Sequence, residues 1–324
     1  MTADEPWRPT APLAALRLRA ALLAQVRGFF SERGMLEVDT PALVRHAVTD
    51  RHIHSARVEL PGYGPPLYLH TSPEYAMKRL LAAGSGDIFQ IAHVFRGSEH
   101  GRWHNAEFTL IEWYRCGYAM RQLMEEAARL TLTLLALPDE TPVEYLRYRC
   151  AFERELSVDP LRAPDETLRS LAIARRLDRQ LAERCDRDEL LDWLMGSAVG
   201  PRLGRNGPCF VHHYPASQAA LARIDPQDPR VALRFELYYR GVELANGFEE
   251  LADCAQQRAR FELDRAQRLA AGLPAPAIDE ALLAALDAGL PPVSGVALGF
   301  DRLLMLRLGA SSIEQVLPFA LDRA

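Results

Sequence analysis

Glu236, Glu243 and Glu250 stand seven residues apart in the stretch RFELYYRGVELANGFEEL, with Glu249 beside the last of them. The side chains around them are mostly apolar. A carboxylate in such surroundings has to be paired, hydrogen-bonded or bound to a metal, because an isolated buried anion is too costly. Two arginines sit at element boundaries elsewhere, Arg96 in FRGSEHGRWHNAEF and Arg302 in GFDRLL. Arginine supplies planar, permanently charged donors that suit phosphate oxygens. Magnesium on a polyphosphate takes oxygen ligands, commonly one or two carboxylates. Phe108 adds an aromatic face on which a base can stack. Together these residue types suggest a nucleotide site. Taken alone, the carboxylates also fit a solvated strand face or structural ion pairs with neighbouring arginines. Glu249 reads as surface charge. His52, His54 and the pair His212–His213 lack a third ligand at a metal-binding spacing and read as structural or surface histidines.

These residues need elements to position them. Residues 13–33 have apolar positions at helical spacing and end at Gly34. An extended segment, MLEVDTPAL, follows and stops at Pro41. LYLHTS reads as a short strand, and Pro73 opens a helix that Gly84 closes. DIFQIAHVFR and AEFTLIEWYR alternate as strands joined by a polar loop, which makes a hairpin with a functional tip. Residues 119–137 form an amphipathic helix. Residues 165–199 are wholly helical, within an inserted helical subdomain at about 160–200. CFVHHYP is a strand, 231–248 a pair of strands turning near Arg240-Gly241, and 252–272 a charged helix. SGVALGFDRLLMLRLG gives a strand, a turn and a helix. Hairpin-joined strands with helices between them predict an α+β fold, an antiparallel β-sheet flanked by helices.

The bulk properties set limits. The chain has 324 residues, 48% hydrophobic and 25% charged, with a net charge of -5. A protein that grips nucleic acid through phosphates is usually basic, so this balance leans against a tRNA or DNA binder. No apolar run is long enough to span a bilayer, so no membrane association is expected, and the acidic, proline-rich start is not a signal peptide. The five cysteines are scattered without a CxxC pair, which predicts reduced thiols and a cytoplasmic protein. Lys78 is the single lysine among 38 basic residues.

FFSERGMLEVDTPAL resembles motif 1 of the class II aminoacyl-tRNA synthetases, FRGSEHGRWHNAEF motif 2, and GVALGFDRLLML motif 3. TSPEYAMKRLL, HNAEFTLIEWY and ELANGFEEL are similar to the lysyl-tRNA synthetase catalytic domain within that superfamily. The resemblance runs from residue 12 to 324, loosest at 160–200, and leaves residues 1–11 as a tail. It implies a class II catalytic domain with ATP and Mg²⁺ as cofactors. It places Glu236 and Glu243 as metal ligands. Glu250, assisted by Tyr114, falls on the acid that meets the substrate's side-chain ammonium, and Glu74 on the residue that holds its amino group. Ser72, Pro73, Glu112, Asn246 and Ala297 fall in the substrate segments. Arg96 matches the arginine on the α-phosphate and Arg302 the motif 3 arginine, the two groups given catalytic roles. Ser98, Glu99, His104, Asn105, Phe108, Leu244 and Gly299 fall in the ATP segments.

Motif 1 begins almost at the first residue, so the resemblance is to the truncated lysyl-tRNA synthetase paralogues, with no anticodon-binding domain expected. That group attaches a lysine-type amino acid to a lysine of elongation factor P. The partners implied are elongation factor P, (R)-β-lysine or lysine, and a second copy of the chain in a homodimer, with no tRNA. Ala297 replaces the glycine of the synthetases, and its methyl trims the pocket in favour of (R)-β-lysine. Two positions depart from the motifs. Arg96-Gly97-Ser98-Glu99 stands where Arg-x-Glu is usual, and Ala106 replaces a proline. The remaining alternatives are a ligase with a different acceptor and a synthetase-like binding module without catalysis.

Overall fold

The computed structural model describes residues 7–97 and 100–324. Ser98 and Glu99, two of the ATP-segment residues, lie outside the described residues. From the N-terminus come helix α1 (Leu13–Ser31), strands β1 (Leu36–Glu37), β2 (Leu43–Val44), β3 (Arg57–Val58) and β4 (Leu67–Leu69), helix α2 (Glu74–Ala82), and strands β5 (Ile88–Phe95) and β6 (Glu107–Cys116). The middle of the chain forms α3 (Met120–Leu135), β7 (Glu144–Arg147), α4 (Tyr148–Leu156), α5 (Asp165–Ala174), α6 (Arg179–Arg184), α7 (Arg187–Leu194), β8 (Cys209–Pro215), β9 (Val231–Tyr239) and β10 (Val242–Glu249). Helices α8 (Cys254–Ala270) and α9 (Glu280–Gly289), strand β11 (Val293–Gly299) and helix α10 (Phe300–Leu308) follow. These residues divide into two compact units, one made from 7–118, 133–136 and 252–324, the other from 119–132 and 137–251.

In the first unit, strands run in the order β1-β5-β6-β11, with β1 parallel to β5 and the other pairs antiparallel. Residues opposite one another in a ladder share a face. One face therefore carries the rows Val94–Phe108, Ala92–Leu110–Gly299, Gln90–Glu112–Ala297 and Ile88–Tyr114–Gly295. The opposite face carries Phe89, Trp113 and Val296, and α1 packs here. Phe30 stacks on Phe89 with ring centroids 4.6 Å apart and meets Trp113 at 5.2 Å. Strand β11 passes straight into α10 with no turn between them. The buried Asp301 of α10 accepts the Thr109 N–H at 2.6 Å and pairs with Arg19 of α1. One carboxylate thus ties α1, β6 and α10 together. A second, small sheet has the order β2-β4-β3.

The second unit has the strand order β10-β9-β8-β7, with β7 parallel to β8. The β9–β10 hairpin turns at Arg240 (φ +50°) and Gly241 (φ +75°), two left-handed residues as a type I′ turn requires. A methyl on Gly241 would meet the Pro201 carbonyl oxygen at 2.7 Å, so only glycine fits. Residues 165–194 fold as three short helices. Asp178 and Asp186 interrupt the run because their side chains cap α6 and α7, the latter in a reciprocal capping box with Glu189. These helices and α4 share one hydrophobic core with Cys209, Val211, Tyr214 and Tyr238 of β8 and β9. Strand β7 and helices α4 and α9 are elements the sequence pattern did not single out. Both parallel pairs modify the expected antiparallel arrangement. Among the described residues no helix is long and apolar enough to cross a membrane.

Candidate functional site

In the first unit the substrate segments converge on Glu112. This carboxyl is 2% exposed. The Ser72 hydroxyl donates to its Oε2 and the Tyr114 hydroxyl to its Oε1, each at 2.7 Å. The same Ser72 Oγ accepts the Glu74 N–H at 3.0 Å. Pro73 precedes the first turn of α2 and sets Glu74 at the start of the helix. One turn on, the buried Lys78 donates to Glu74 Oε1 at 2.7 Å. Burial, and then the negative charge of Glu74, push the Glu112 carboxyl up to about 7. The bonds from Ser72 and Tyr114 and the charge of Lys78 pull against that rise without cancelling it. Glu112 is therefore a buried carboxylate whose direct partners are neutral hydroxyls. The Tyr114 hydroxyl thus meets the neighbour two residues away on the same face of β6.

A second group on the same unit gathers Arg96, Phe108 and Arg302 with the residues around them. The Arg96 guanidinium lies 5.1 Å from the Phe108 ring centroid and reaches the Thr71 carbonyl. Phe108 and Ala297 both pack on Ala92, Val94 and Leu110. Gly299 stands opposite Leu110, and β11 presents Val293, Gly295, Ala297 and Gly299 to this face. Arg302 donates to the Trp103 carbonyl at 3.1 Å and lies 2.7 Å from His104 Nε2. A guanidinium has no acceptor, so in this contact Arg302 donates to His104 Nε2. The Asn105 side chain donates to the Glu107 carbonyl at 2.6 Å, which shapes the loop entering β6. Along β6, Phe108 and Glu112 are four residues apart, a separation of roughly 13 Å at the strand rise.

The second unit gathers the carboxylate ladder through an irregularity that spacing does not show. On β10, Glu243 opposes Tyr238 and Asn246 opposes Glu236, with an extra residue, Leu244, between the two registers. Regular alternation would put Glu243 and Asn246 on opposite faces, and the bulge at Leu244 brings them onto one. A second register shift follows His212, where His213 takes φ +60°. Beyond it the Tyr214 hydroxyl reaches Glu236. Glu236 Oε2 accepts from Tyr214 and Tyr238, both at 2.6 Å, and Oε1 from Arg234 at 2.5 Å. Glu250 is buried next to the bridge from Ala222. Glu249 is not the surface charge its sequence suggests. Its carboxylate accepts the Met120 N–H at the start of α3 and pairs with Arg223 at 2.7 Å. His212 and His213 lie against each other, and burial lowers His212 to about 3, which fits the structural role.

Glu236 and Glu243 are the two carboxylates on this hairpin face whose oxygens could serve a divalent cation. An ionised carboxylate offers about four lone-pair sites, and the three bonds to Glu236 leave capacity for a further partner. Glu243 stands on the same face of the hairpin. Two carboxylates are what Mg²⁺ commonly takes from protein when phosphate oxygens complete its shell. No group of three or more His, Cys, Asp or Glu able to hold a metal occurs among the described residues. Sequence reasoning missed Lys78, Arg234, Tyr214 and Tyr238. Arg234 carries a visible signal, since it stands two residues before Glu236 on a strand and so shares its face.

The family of class II tRNA synthetases (D, K and N) matches residues 7–323. The chain is 52% identical over 322 residues to the elongation factor P--(R)-beta-lysine ligase of Edwardsiella ictaluri (strain 93-146), covering 98% of each chain. It is 50% identical over 328 residues to proteins of the same name from Klebsiella pneumoniae (strain 342) and Salmonella paratyphi B (strain ATCC BAA-1250 / SPB7), covering 100% of each.

Proposed function

The chain belongs to the class II tRNA synthetase family (D, K and N), and from that premise we propose that it is an elongation factor P--(R)-β-lysine ligase. It activates (R)-β-lysine, or lysine, with ATP as an aminoacyl-adenylate. It then transfers the aminoacyl group to the ε-amino group of a lysine on elongation factor P. Full-length identity to ligases of that name supports the reading. The observation that carries it is the face of β6. Phe108 with Arg96 stands at one end and the buried Glu112 with Ser72, Tyr114 and Glu74 at the other. An aromatic face and a guanidinium suit adenine and the α-phosphate. A buried carboxylate with only hydroxyl partners suits an ammonium group. The separation of roughly 13 Å is about the span of one aminoacyl-adenylate.

The chemistry follows from these placements. Glu112, Tyr114, Glu74 and Glu250 hold the amino groups of the substrate, with Ser72 and Pro73 shaping the entry to α2 and Ala297 the floor. The substrate carboxylate attacks the α-phosphorus in line, and pyrophosphate leaves. Arg96 and Arg302 stabilise the charge that builds on the phosphates, with His104, Asn105, Phe108, Leu244 and Gly299 around the nucleotide. Glu236 and Glu243 would hold Mg²⁺, which when bound neutralises phosphate charge. In the second step the neutral acceptor amine attacks the acyl carbon, and AMP leaves with the bonding pair.

Two further parts of the reading concern assembly. Leu13 of α1 is 63% exposed and Leu36 on the edge strand β1 is 54% exposed. Apolar side chains on these motif 1 elements suit a twofold contact between copies. Light scattering would give twice the chain mass, and a monomer would remove the dimer. No tRNA is required. Pyrophosphate exchange tests the activation step. It should need a lysine-type amino acid, and Arg96→Ala should lower it about 10²–10³-fold. Exchange with no amino-acid requirement would overturn the reading.

A further inference from the structure

Arg234 makes four contacts that together constrain two other residues. Its Nε donates to Asn246 Oδ1 at 3.2 Å, its Nη1 to the Gln218 carbonyl at 2.8 Å and its Nη2 to Glu236 Oε1 at 2.5 Å. Its guanidinium carbon lies 4.5 Å from the Tyr214 ring centroid. The ring, the backbone carbonyl and the carboxylate clamp the plane of the guanidinium. That leaves the direction of the Nε–H settled, and it points at Asn246.

The consequence concerns the amide. Oxygen and nitrogen of an asparagine side chain are usually distinguished only by their partners. Here the partner is a guanidinium, which donates and never accepts. The Asn246 atom facing Arg234 is therefore the carbonyl oxygen, and the amide NH₂ is turned away from it. The bulge at Leu244 is what brings Asn246 to the face of Arg234 at all. A pair of N–H donors held in one direction recognises an acceptor, and of the two ends of a lysine-type amino acid only the carboxylate is one.

We infer that Arg234 is a positioning residue that locks the Asn246 amide with its N–H donors toward the carboxylate of the amino-acid substrate. This rests on the assignment of Asn246 to substrate binding made above. Arg234 touches no substrate in this account and acts through Asn246. Lysine in its place keeps the charge but not the fork, so it cannot hold Asn246 and Glu236 at once.

The test is amino-acid-dependent pyrophosphate exchange at saturating ATP and Mg²⁺, comparing Arg234→Lys, Asn246→Ala, Asn246→Asp and the Arg234→Lys/Asn246→Ala double variant. Asn246→Ala and Arg234→Lys should each raise the amino-acid KM about tenfold, the loss of one hydrogen bond to a charged group, with kcat changed much less. The double variant should be no worse than Asn246→Ala by more than about threefold, because both changes remove one interaction. Asn246→Asp should raise KM at least as much as Asn246→Ala, since an anionic oxygen would face the carboxylate. This variant leaves Arg234 in place and so decides the matter even if Arg234→Lys folds poorly. Fully multiplicative effects in the double variant, or a wild-type KM for Asn246→Asp, would overturn the inference alone. An unchanged KM for Asn246→Ala would instead remove the assignment of Asn246 beneath it.

Discussion

Two buried carboxylates, one in each unit, are solved in opposite ways. Glu236 has a guanidinium on one oxygen and two phenolic hydroxyls on the other. Its charge is balanced within the protein. Glu112 accepts from the hydroxyls of Ser72 and Tyr114, while Lys78 bonds Glu74 and acts on Glu112 through its charge. That charge does not cancel the effect of burial, which raises Glu112 to about 7. The contrast teaches what each site expects. A carboxylate meant to receive a cationic group is buried without a cation of its own, so that ligand binding supplies the missing charge. A carboxylate already balanced can lend an oxygen to a metal on a phosphate, but it does not select an amine.

The sharpest way to break this comparison is to remove the charge at Glu112. Glu112→Gln keeps the shape and one accepting oxygen but not the anion. Its kcat/KM for lysine-type amino acids should fall about 10²–10³-fold, the scale of losing one partner of a desolvated ion pair. Amino-acid titration of pyrophosphate exchange measures it, and a loss below tenfold would mean that Glu112 does not meet the ammonium.

Lys78→Met attacks the same network from the other side. It leaves Glu74 without its buried cation, which should cost about 3–5 kcal/mol of stability. Thermal denaturation would show it as a lowered midpoint, and the variant should also push Glu112 further up. A midpoint within a degree of wild type would indicate that Lys78 is not the compensating charge.

pH sharpens the contrast without any mutation. The raised pKa means the folded, ligand-free protein holds a proton on Glu112 that the unfolded chain has lost. Its contribution therefore falls as pH rises from the ordinary carboxylate range to about 7. Binding of an ammonium has the opposite dependence, because only the anion receives it. As pH rises toward 7 the amino-acid KM should fall by up to about tenfold per unit, then level off above it. Wild type and Glu112→Gln compared over that range isolate the effect, since the variant should show a flat profile. The smallest change is at Ala297, beside Glu112 in the β6–β11 register. Ala297→Gly should shift the ratio of (R)-β-lysine to α-lysine activation toward α-lysine by about 1–3 kcal/mol at most. An unchanged ratio would remove the methyl from the account of specificity.

Much of this was legible in the chain itself. The long helices, the β5–β6 hairpin and the β9–β10 pair follow from apolar period and turn residues, and the three motifs mark Arg96, Phe108 and Arg302. What spacing could not supply was register. Glu243 and Asn246 are an odd number apart, which strand alternation would split between faces, and only the bulge at Leu244 reunites them. Glu249 looked solvated because no local pattern announces that a carboxylate will cap a helix 129 residues earlier. Strand β7 is short and charged at both ends, and nothing in EYLR shows that β8 will accept it in parallel.

The most direct measurement is the intact mass of purified elongation factor P after incubation with this protein, ATP, Mg²⁺ and either (R)-β-lysine or α-lysine. The factor should gain the mass of one lysyl group, more completely with the β form, and Glu112→Gln should modify it at least about a hundredfold more slowly. Pyrophosphate exchange that runs normally while the mass of the factor stays unchanged would contradict it.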